Sequence, residues 1–588
     1  MNVSSRPEQG NSIVKITLSS RPKQDGSIVD RTLSSRPEQD GLIALRSGET
    51  RILHRLSYSC VAYSLDWKPK HNPWAIALTV TLATFMEVLD TSIANVALPH
   101  IAGSVGASQD EATWVLTSYL VSSAVILPIS GWLSDRFGRK RFYLSCVVMF
   151  TVCSMLCGLA PTLPFLIIAR VLQGFGGGGL APSEQAILAD TFPVEKRGQA
   201  FAVYGMAVVI APAIGPTLGG WITDNFNWHW IFFINIPIGI LSFVLSSRMV
   251  EDPPSLIARR IASVGRKVDF TGLALVASGV GVLEFFLDKG QEKDWFGSSL
   301  IVTAACIATV LLVTFVFWEW NHEDPIVDLK LLKNRNFGTA VFLQLVLGMV
   351  LFGSTVLIPQ YMQTLLGFTA QLAGEALSPA GFVMMFMMFV AGRLIGKMDP
   401  RVLVCIGYTA TALGLYNLTR LSLDTSFATV MQWRMLQVIG LPLVFIPIST
   451  LNYVGVPTNK MNQISSLSNF ARNLGGSAGT ALLTTFLART AQTHQQQLAA
   501  NATAGNARYE RYIGAVSAGA QAQGMSAVQS MQFAVGYAYQ QMVRQASMLS
   551  YKNAFAVLAT VILCLTPLPF IMKLPAKREK PSPEAMGH

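Results

Sequence analysis

The chain has 588 residues, of which 51% are hydrophobic and only 13% charged, with a net charge of +11. Soluble globular proteins carry about 25% charged residues, so this chain lacks the charge that a watery surface needs and reads as many membrane spans rather than one soluble core. In a soluble protein the basic excess would suit nucleic acid; here it belongs at one end of membrane helices, and no nucleic-acid partner is expected.

Residues 3–47 hold three copies of a 15-residue unit, VSSRPEQGNSIVKIT, LSSRPKQDGSIVDRT and LSSRPEQDGLIALRS. Each copy is polar, with Pro and Gly and too few apolar residues to bury a face, so residues 1–66 are expected to form a disordered arm. The arm is either a dispensable tail or translated repeat sequence upstream of the working start. No Met lies between Met1 and Met86, so a later start would need a non-AUG codon.

A membrane-crossing helix needs roughly 20 apolar residues. Fourteen segments qualify: 74–98, 112–133, 142–160, 164–189, 199–222, 229–247, 269–287, 298–318, 337–357, 372–395, 402–420, 427–450, 464–487 and 551–572. Basic residues occupy alternate connections, beginning with Arg136, Arg139, Lys140 and Arg141, then Lys196 and Arg197, then Arg248 to Lys267, with Lys289 and Lys293 after span seven as the exception. Connections 99–111, 161–163, 223–228 and 358–371 contain neither Lys nor Arg. The positive-inside bias then predicts a multi-pass inner-membrane protein with both termini in the cytoplasm. The long stretch 488–550 falls outside, and 573–588 forms a cytoplasmic tail.

The first span ends Leu89-Asp90-Thr91-Ser92-Ile93-Ala94-Asn95-Val96-Ala97-Leu98-Pro99. Glu87 and Asp90 are three residues apart and share a helix face. A carboxyl in such a place can carry a proton and, when ionised, attract a cation, which makes both acids candidates for proton coupling. Between spans two and three, Gly131, Asp135, Arg136, Gly138, Arg139, Lys140 and Arg141 form a tight charged turn. Gly138 permits the bend, and Asp135 can pair with Arg139 or accept from a helix N-terminus.

Span four carries Arg170, Gln173, Gly174 and the run Gly176 to Gly179. An arginine in hydrocarbon is costly and faces a cavity or a partner; a structural Arg bonded to carbonyls is the alternative. In span five, Ala207, Ala211, Gly215 and Gly219 recur at i+4 and give one smooth face. Pro216 frees a carbonyl there, and Gly220 follows. Glu184, Glu284, Arg434 and Arg472 are further polar residues inside spans. The seven Cys form no metal or redox pattern, no P-loop is present, and no nucleophile–base pair stands out, so the chain does not read as an enzyme.

The 131–141 turn resembles the signature loop of the major facilitator superfamily, G-x-L-x-D-R-x-G-R-[KR]. The other motifs resemble those of its fourteen-span EmrB/QacA-type drug:proton antiporters: the first-span motif, with Ser92 in place of Thr; L-x-x-x-R-x-x-Q-G-x-G in span four; and the antiporter motif ending G-P-x-x-G-G in span five. Arg472 to Ser477 and Asn227 to Pro237 also resemble family segments. The resemblance runs from about residue 68 to 572. It implies an all-α membrane protein with a six-helix bundle over 67–248, an inserted helix pair within 249–336 and a second six-helix bundle over 337–572 that includes the external loop 488–550.

The resemblance further implies that Asp135 and Arg139 latch one conformation, that Arg170 serves proton transfer, and that span five marks exporters. The degraded counterpart Gly392-Arg393-Leu394-Ile395-Gly396-Lys397 has Gly396 at the acidic position, which argues against a second latch. The function so implied is proton-coupled efflux of small amphipathic or cationic compounds by alternating access, driven by the proton gradient with no cofactor or metal. A proton-driven uptake symporter is the alternative, and a non-transporting membrane sensor is a remote one. EmrB-like members can work with a periplasmic adaptor and an outer-membrane channel, and 488–550 would then be the docking surface.

Overall fold

The structure is a computed structural model that describes residues 69–574 apart from 255, 258–267, 324, 457–459 and 504. The repeat arm and the 575–588 tail lie outside the described residues. Helices account for nearly all the regular structure: α1 (Pro73–Val105), α2 (Trp114–Phe137), α3 (Arg139–Gly158), α4 (Leu163–Gly177), α5 (Leu180–Thr191), α6 (Val194–Asn225), α7 (Trp230–Phe233), α8 (Asn235–Met249), α9 (Phe270–Lys289), α10 (Ser299–Asn321), α11 (Arg335–Thr364), α12 (Ala370–Leu394), α13 (Pro400–Leu418), α14 (Phe427–Val438), α15 (Gly440–Leu451), α16 (Met461–Ala499), α17 (Ala507–Ala522) and α18 (Ala527–Leu565).

The helix ends follow local chemistry. Asn72 caps α1 through Trp74 N at 2.9 Å, with Pro73 in the first turn, where its missing N–H costs nothing. Gly106, at φ 65°, ends that helix in the left-handed conformation. Asp269, Asn334, Thr369 and Asp399 cap α9, α11, α12 and α13 by accepting from their first-turn amides. Ser526 and Gln529 form a capping box at the start of α18. Pro128, Pro212, Pro216, Pro359 and Pro379 lie inside continuous helices, a pattern tolerated where neighbouring helices satisfy the freed carbonyls.

All fourteen predicted segments are helical. Among the described residues, twelve helical stretches are long and apolar enough to cross a membrane. The other two segments are α13 and α16. In α16, Asn462, Gln463, Ser465, Ser466, Ser468 and Asn469 are buried against other helices, so its polarity is turned inward rather than toward lipid. Helices α1 and α6 pack together in the first half, and α11 and α16 take the same relation in the second. The halves meet along α6–α12 and α2–α16. The pair α9–α10 packs outside both, with α9 against α2 and α16.

The long connection 488–550 is mostly helical. Helices α16 and α18 have 39 residues each, about 58 Å at 1.5 Å per residue against a hydrocarbon core of about 30 Å. Both therefore project beyond the bundle, joined by α17. Gln495 Nε2 donates to Tyr539 Oη at 3.1 Å, His494 and Asn553 bond at 2.9 Å, and Ser517 Oγ donates to Ser530 Oγ at 3.1 Å.

Candidate functional site

Asp90 and Arg170 meet in the interior of the first half. The carboxylate is 2% exposed and the guanidinium fully buried. Arg170 Nη1 reaches Asp90 Oδ2 at 2.6 Å. Asp90 Oδ1 accepts from Gln173 Nε2 at 3.1 Å and from Asn235 Nδ2 at 2.7 Å. Arg170 also donates to Val115 O at 3.0 Å and to Gln173 Oε1 at 2.8 Å, and lies over the rings of Tyr119 at 4.5 Å and Phe232 at 5.6 Å. Spans four and six thus converge on the carboxylate of span one, and span two holds Arg170 from the other side. The pairing of Arg170 with Asp90 offsets the desolvation that each charge would suffer alone. Asn235 is the member that the sequence reading did not single out; its signal was an Asn opening an apolar run.

Beside this pair lies a cavity of about 1340 Å³ between the two halves, lined among others by Glu87, Arg170, Glu284, Arg434 and Arg472. Glu87 and Asp90, expected to share a face, divide their work: Glu87 lines the cavity, whereas Asp90 sits behind it on Arg170. Apolar side chains such as Leu347, Leu351, Met384 and Phe445 form much of the wall. The volume exceeds the 300–1,000 Å³ typical of drug-sized sites, enough for varied amphipathic ligands. Glu284 accepts from Ser477 Oγ of α16, and one turn on, Asp288 accepts from Thr117 Oγ1 of α2 at 2.7 Å. Helix α9 thereby bonds both halves across the gap between α2 and α16.

The cavity is closed at the end that carries the basic loops. Asn462 Nδ2 donates to Asp135 Oδ1 at 2.6 Å, and Arg139 Nε donates to Asn462 Oδ1 at 2.6 Å. Arg139 Nη1 pairs with Asp190 and donates to Ala186 O at 2.9 Å. The link between Asp135 and Arg139 therefore runs through Asn462, a residue of the other half. A Cβ on Gly131 would come within 2.9 Å of Gln463 Cα, so glycine is what lets the backbones meet. Ser130 Oγ donates to Ser466 Oγ at 3.1 Å, and Ser465 Oγ to Pro182 O at 2.7 Å. Gly138, at φ 93°, makes the α2–α3 turn, and the backbone N–H of Lys140 donates to Asp252 Oδ1 at 2.8 Å. Arg136 stands in the last turn of α2.

The α6 face packs as its small residues suggest. A Cβ on Gly215 would lie 2.3 Å from Ser92 Oγ, and one on Gly219 would lie 3.0 Å from Ile93 Cγ2. Pro216 lines the cavity. Gly220 is different, because nothing lies within 4 Å of its Cβ position. Glu184 is not in the cavity wall: it is fully buried and accepts from Thr84 N at 3.0 Å and Thr84 Oγ1 at 2.5 Å, tying α5 to α1. Arg472 Nη2 donates to Asn469 Oδ1 at 2.6 Å. Arg393 lies over the Phe389 ring at 3.3 Å, and Gly396 has no neighbour within 4 Å of its Cβ position. Among the described residues, no cluster of His, Cys, Asp and Glu could hold a metal.

The model of the Major Facilitator Superfamily matches residues 80–480. The chain belongs to this superfamily. Among relatives of this facilitator, "Multidrug export protein EmrB" of Haemophilus influenzae is 41% identical over 424 residues, covering 72% of this chain and 82% of that one. "Multidrug export protein EmrB" of Escherichia coli is 35% identical over 511 residues, covering 86% and 97%. A solved proton:xylose symporter of the superfamily, XylE, superposes with a TM-score of 0.52 at 15% identity, over 84% of this chain and 96% of that one, a likeness of fold alone. The facilitator is a multi-pass transporter of the bilayer and belongs to no enzyme family.

Proposed function

We propose that this facilitator exports small amphipathic compounds in exchange for protons. It would do so from the cell's inner membrane through fourteen spans, with its basic end and both termini in the cytoplasm. The observation that carries the reading is the buried Asp90–Arg170 pair standing beside a cavity that is shut at the basic end. The EmrB relatives, named multidrug export proteins, support the export of drug-like molecules. By the positive-inside bias, the basic loops lie in the cytoplasm, so the cavity opens outward.

The chemistry then follows from the residues. An external proton that neutralises Asp90 removes the charge that holds Arg170 Nη1 and the amides of Gln173 and Asn235. Arg170 lines the cavity, so its release changes the polarity that a ligand meets. The outward cavity sheds its compound, and the protonated carrier rocks about α6–α12 and α2–α16. Separation of Asn462 from Asp135 and Arg139 opens the cytoplasmic end, where proton loss restores the Asp90–Arg170 pair and a new compound enters. The proton gradient supplies the work, and no cofactor is called for.

The projecting α16–α18 segment presents exposed Val528, Met531 and Tyr539, and we assign to it the docking of a periplasmic adaptor that leads to an outer-membrane channel. Deletion of α17 should abolish co-purification of such an adaptor. Export itself is tested with everted membrane vesicles: an imposed inside-acid gradient should drive accumulation of a fluorescent amphipathic compound. Outward movement of the compound along with protons would instead identify a symporter.

A further inference from the structure

The fourth span of each half carries the same short motif, Arg170-Val171-Leu172-Gln173 and Arg434-Met435-Leu436-Gln437. In both halves the Arg and Gln turn toward the first helix of their own half. In the first half they converge on Asp90. In the second they converge on Ser354: Arg434 Nη1 donates to Ser354 Oγ at 2.9 Å and Gln437 Nε2 donates to the same oxygen at 3.0 Å. Ser354 thus stands where the other half has a carboxylate.

The rest of the shell is neutral as well. Arg434 Nη1 also donates to Gln437 Oε1, Nη2 donates to Thr355 Oγ1 at 2.8 Å, and Nε has no partner. Arg434 is 5% exposed and lines the central cavity. Among the described residues, no carboxylate lies within 4.0 Å of it. The cavity's carboxyl groups are elsewhere: Glu87 on α1, Glu284 and Asp288 on α9, held by Ser477 and Thr117, and Glu292 just past α9, paired with Lys289. Two more arginines, Arg472 and Arg544, line the same wall and donate to neutral oxygens of Asn469 and Leu365. A buried guanidinium without a counter-charge is costly, and functional sites are where such a cost persists.

We infer that Arg434, with Ser354, Thr355 and Gln437, forms an anion site in the cavity that takes the carboxylate of an amphipathic substrate. The planar guanidinium fork matches a carboxylate in geometry, and Leu347, Leu351 and Phe445 supply apolar wall for the rest of the molecule. The substrate would supply to the second half the charge that Asp90 supplies to the first. This inference names a substrate class and rests on the export reading above.

The test is equilibrium binding of radiolabelled laurate, methyl laurate and dodecyltrimethylammonium to the purified full chain in nanodiscs. Laurate should bind the wild type about 10- to 100-fold more tightly than its methyl ester, the span expected of a hydrogen-bonded charge. Arg434→Gln should abolish that preference and leave the ester within about twofold. Arg434→Lys, which keeps the charge and loses the fork, should retain part of it. Ser354→Asp installs a resident carboxylate while leaving Arg434 in place, and should abolish laurate preference by competition. A wild type that binds ester and acid equally overturns the inference. So does a laurate preference that survives both Arg434→Gln and Ser354→Asp. Either result leaves export standing, because export is judged by vesicle accumulation and not by this binding.

Discussion

Replacing Asn462 by Ala should open the end of the transporter that carries the basic loops. Asn462 is 2% exposed and belongs to one half, yet both its amide atoms are bonded to the other, to Asp135 Oδ1 and from Arg139 Nε, each at 2.6 Å. A hydrogen bond to a charged group is worth about 1.5–3 kcal/mol net, and leaving a buried charged partner unsatisfied costs a similar amount. Arg139 keeps Asp190 and Ala186 O, so the two losses are not fully additive. Taking about 3 kcal/mol for the pair, the ratio of open to closed forms rises about 100-fold. The assay is double electron–electron resonance between labels at the exposed Phe137 and Met398, one in each half near the basic end, in a cysteine-free background. The variant should gain a longer-distance population, and restoring Asn should remove it. An unchanged distance distribution would refute the idea that Asn462 holds the halves together.

Other substitutions test separate links. Gly131→Ala places a Cβ 2.9 Å from Gln463 Cα and should shift the same label distances in the same direction as Asn462→Ala. Gly475→Ala drives a Cβ to 1.9 Å from Leu345 O, where only backbone movement relieves the overlap; a cost of about 1–3 kcal/mol should appear as a lower unfolding temperature with α11 and α16 pushed apart. Asp90→Asn leaves the Arg170 charge buried and should cost about 3–5 kcal/mol. Adding Arg170→Gln should recover part of that loss in thermal unfolding, while export stays absent in both variants. Independent, additive effects of these two substitutions would contradict the ion pair as drawn.

The fold was largely legible because a bilayer imposes simple rules. Span length, alternate basic loops and caps such as Asn72 and Asp399 are local features. Ends were harder to read where the membrane ceases to dictate composition. Helices α16 and α18 run well past the apolar stretches at 464–487 and 551–572, because the Gln- and Ala-rich residues beyond favour helix in water as well. Within the site, Asp90, Arg170 and Gln173 stood out as polar residues in apolar runs, and the structure brings them together. Their fourth partner, Asn235, and Asn462, which joins Asp135 to Arg139, did not stand out. Neutral amides in helices are common, and only the packing of distant spans gives these two a charged neighbour. Glu184 looked like Glu284 in the sequence, yet the one is satisfied by Thr84 inside the first half and the other faces the cavity. Which way a helix faces is set by its neighbours.

In the proposed exchange, substrate and proton compete through Asp90. The most direct measurement is proton release from purified transporter, followed with a pH indicator in weakly buffered detergent solution as amphipathic compounds are added. The wild type should show a substrate-dependent release and Asp90→Asn none, even where that variant still binds the compound. Equal release by both proteins would rule out competition through Asp90.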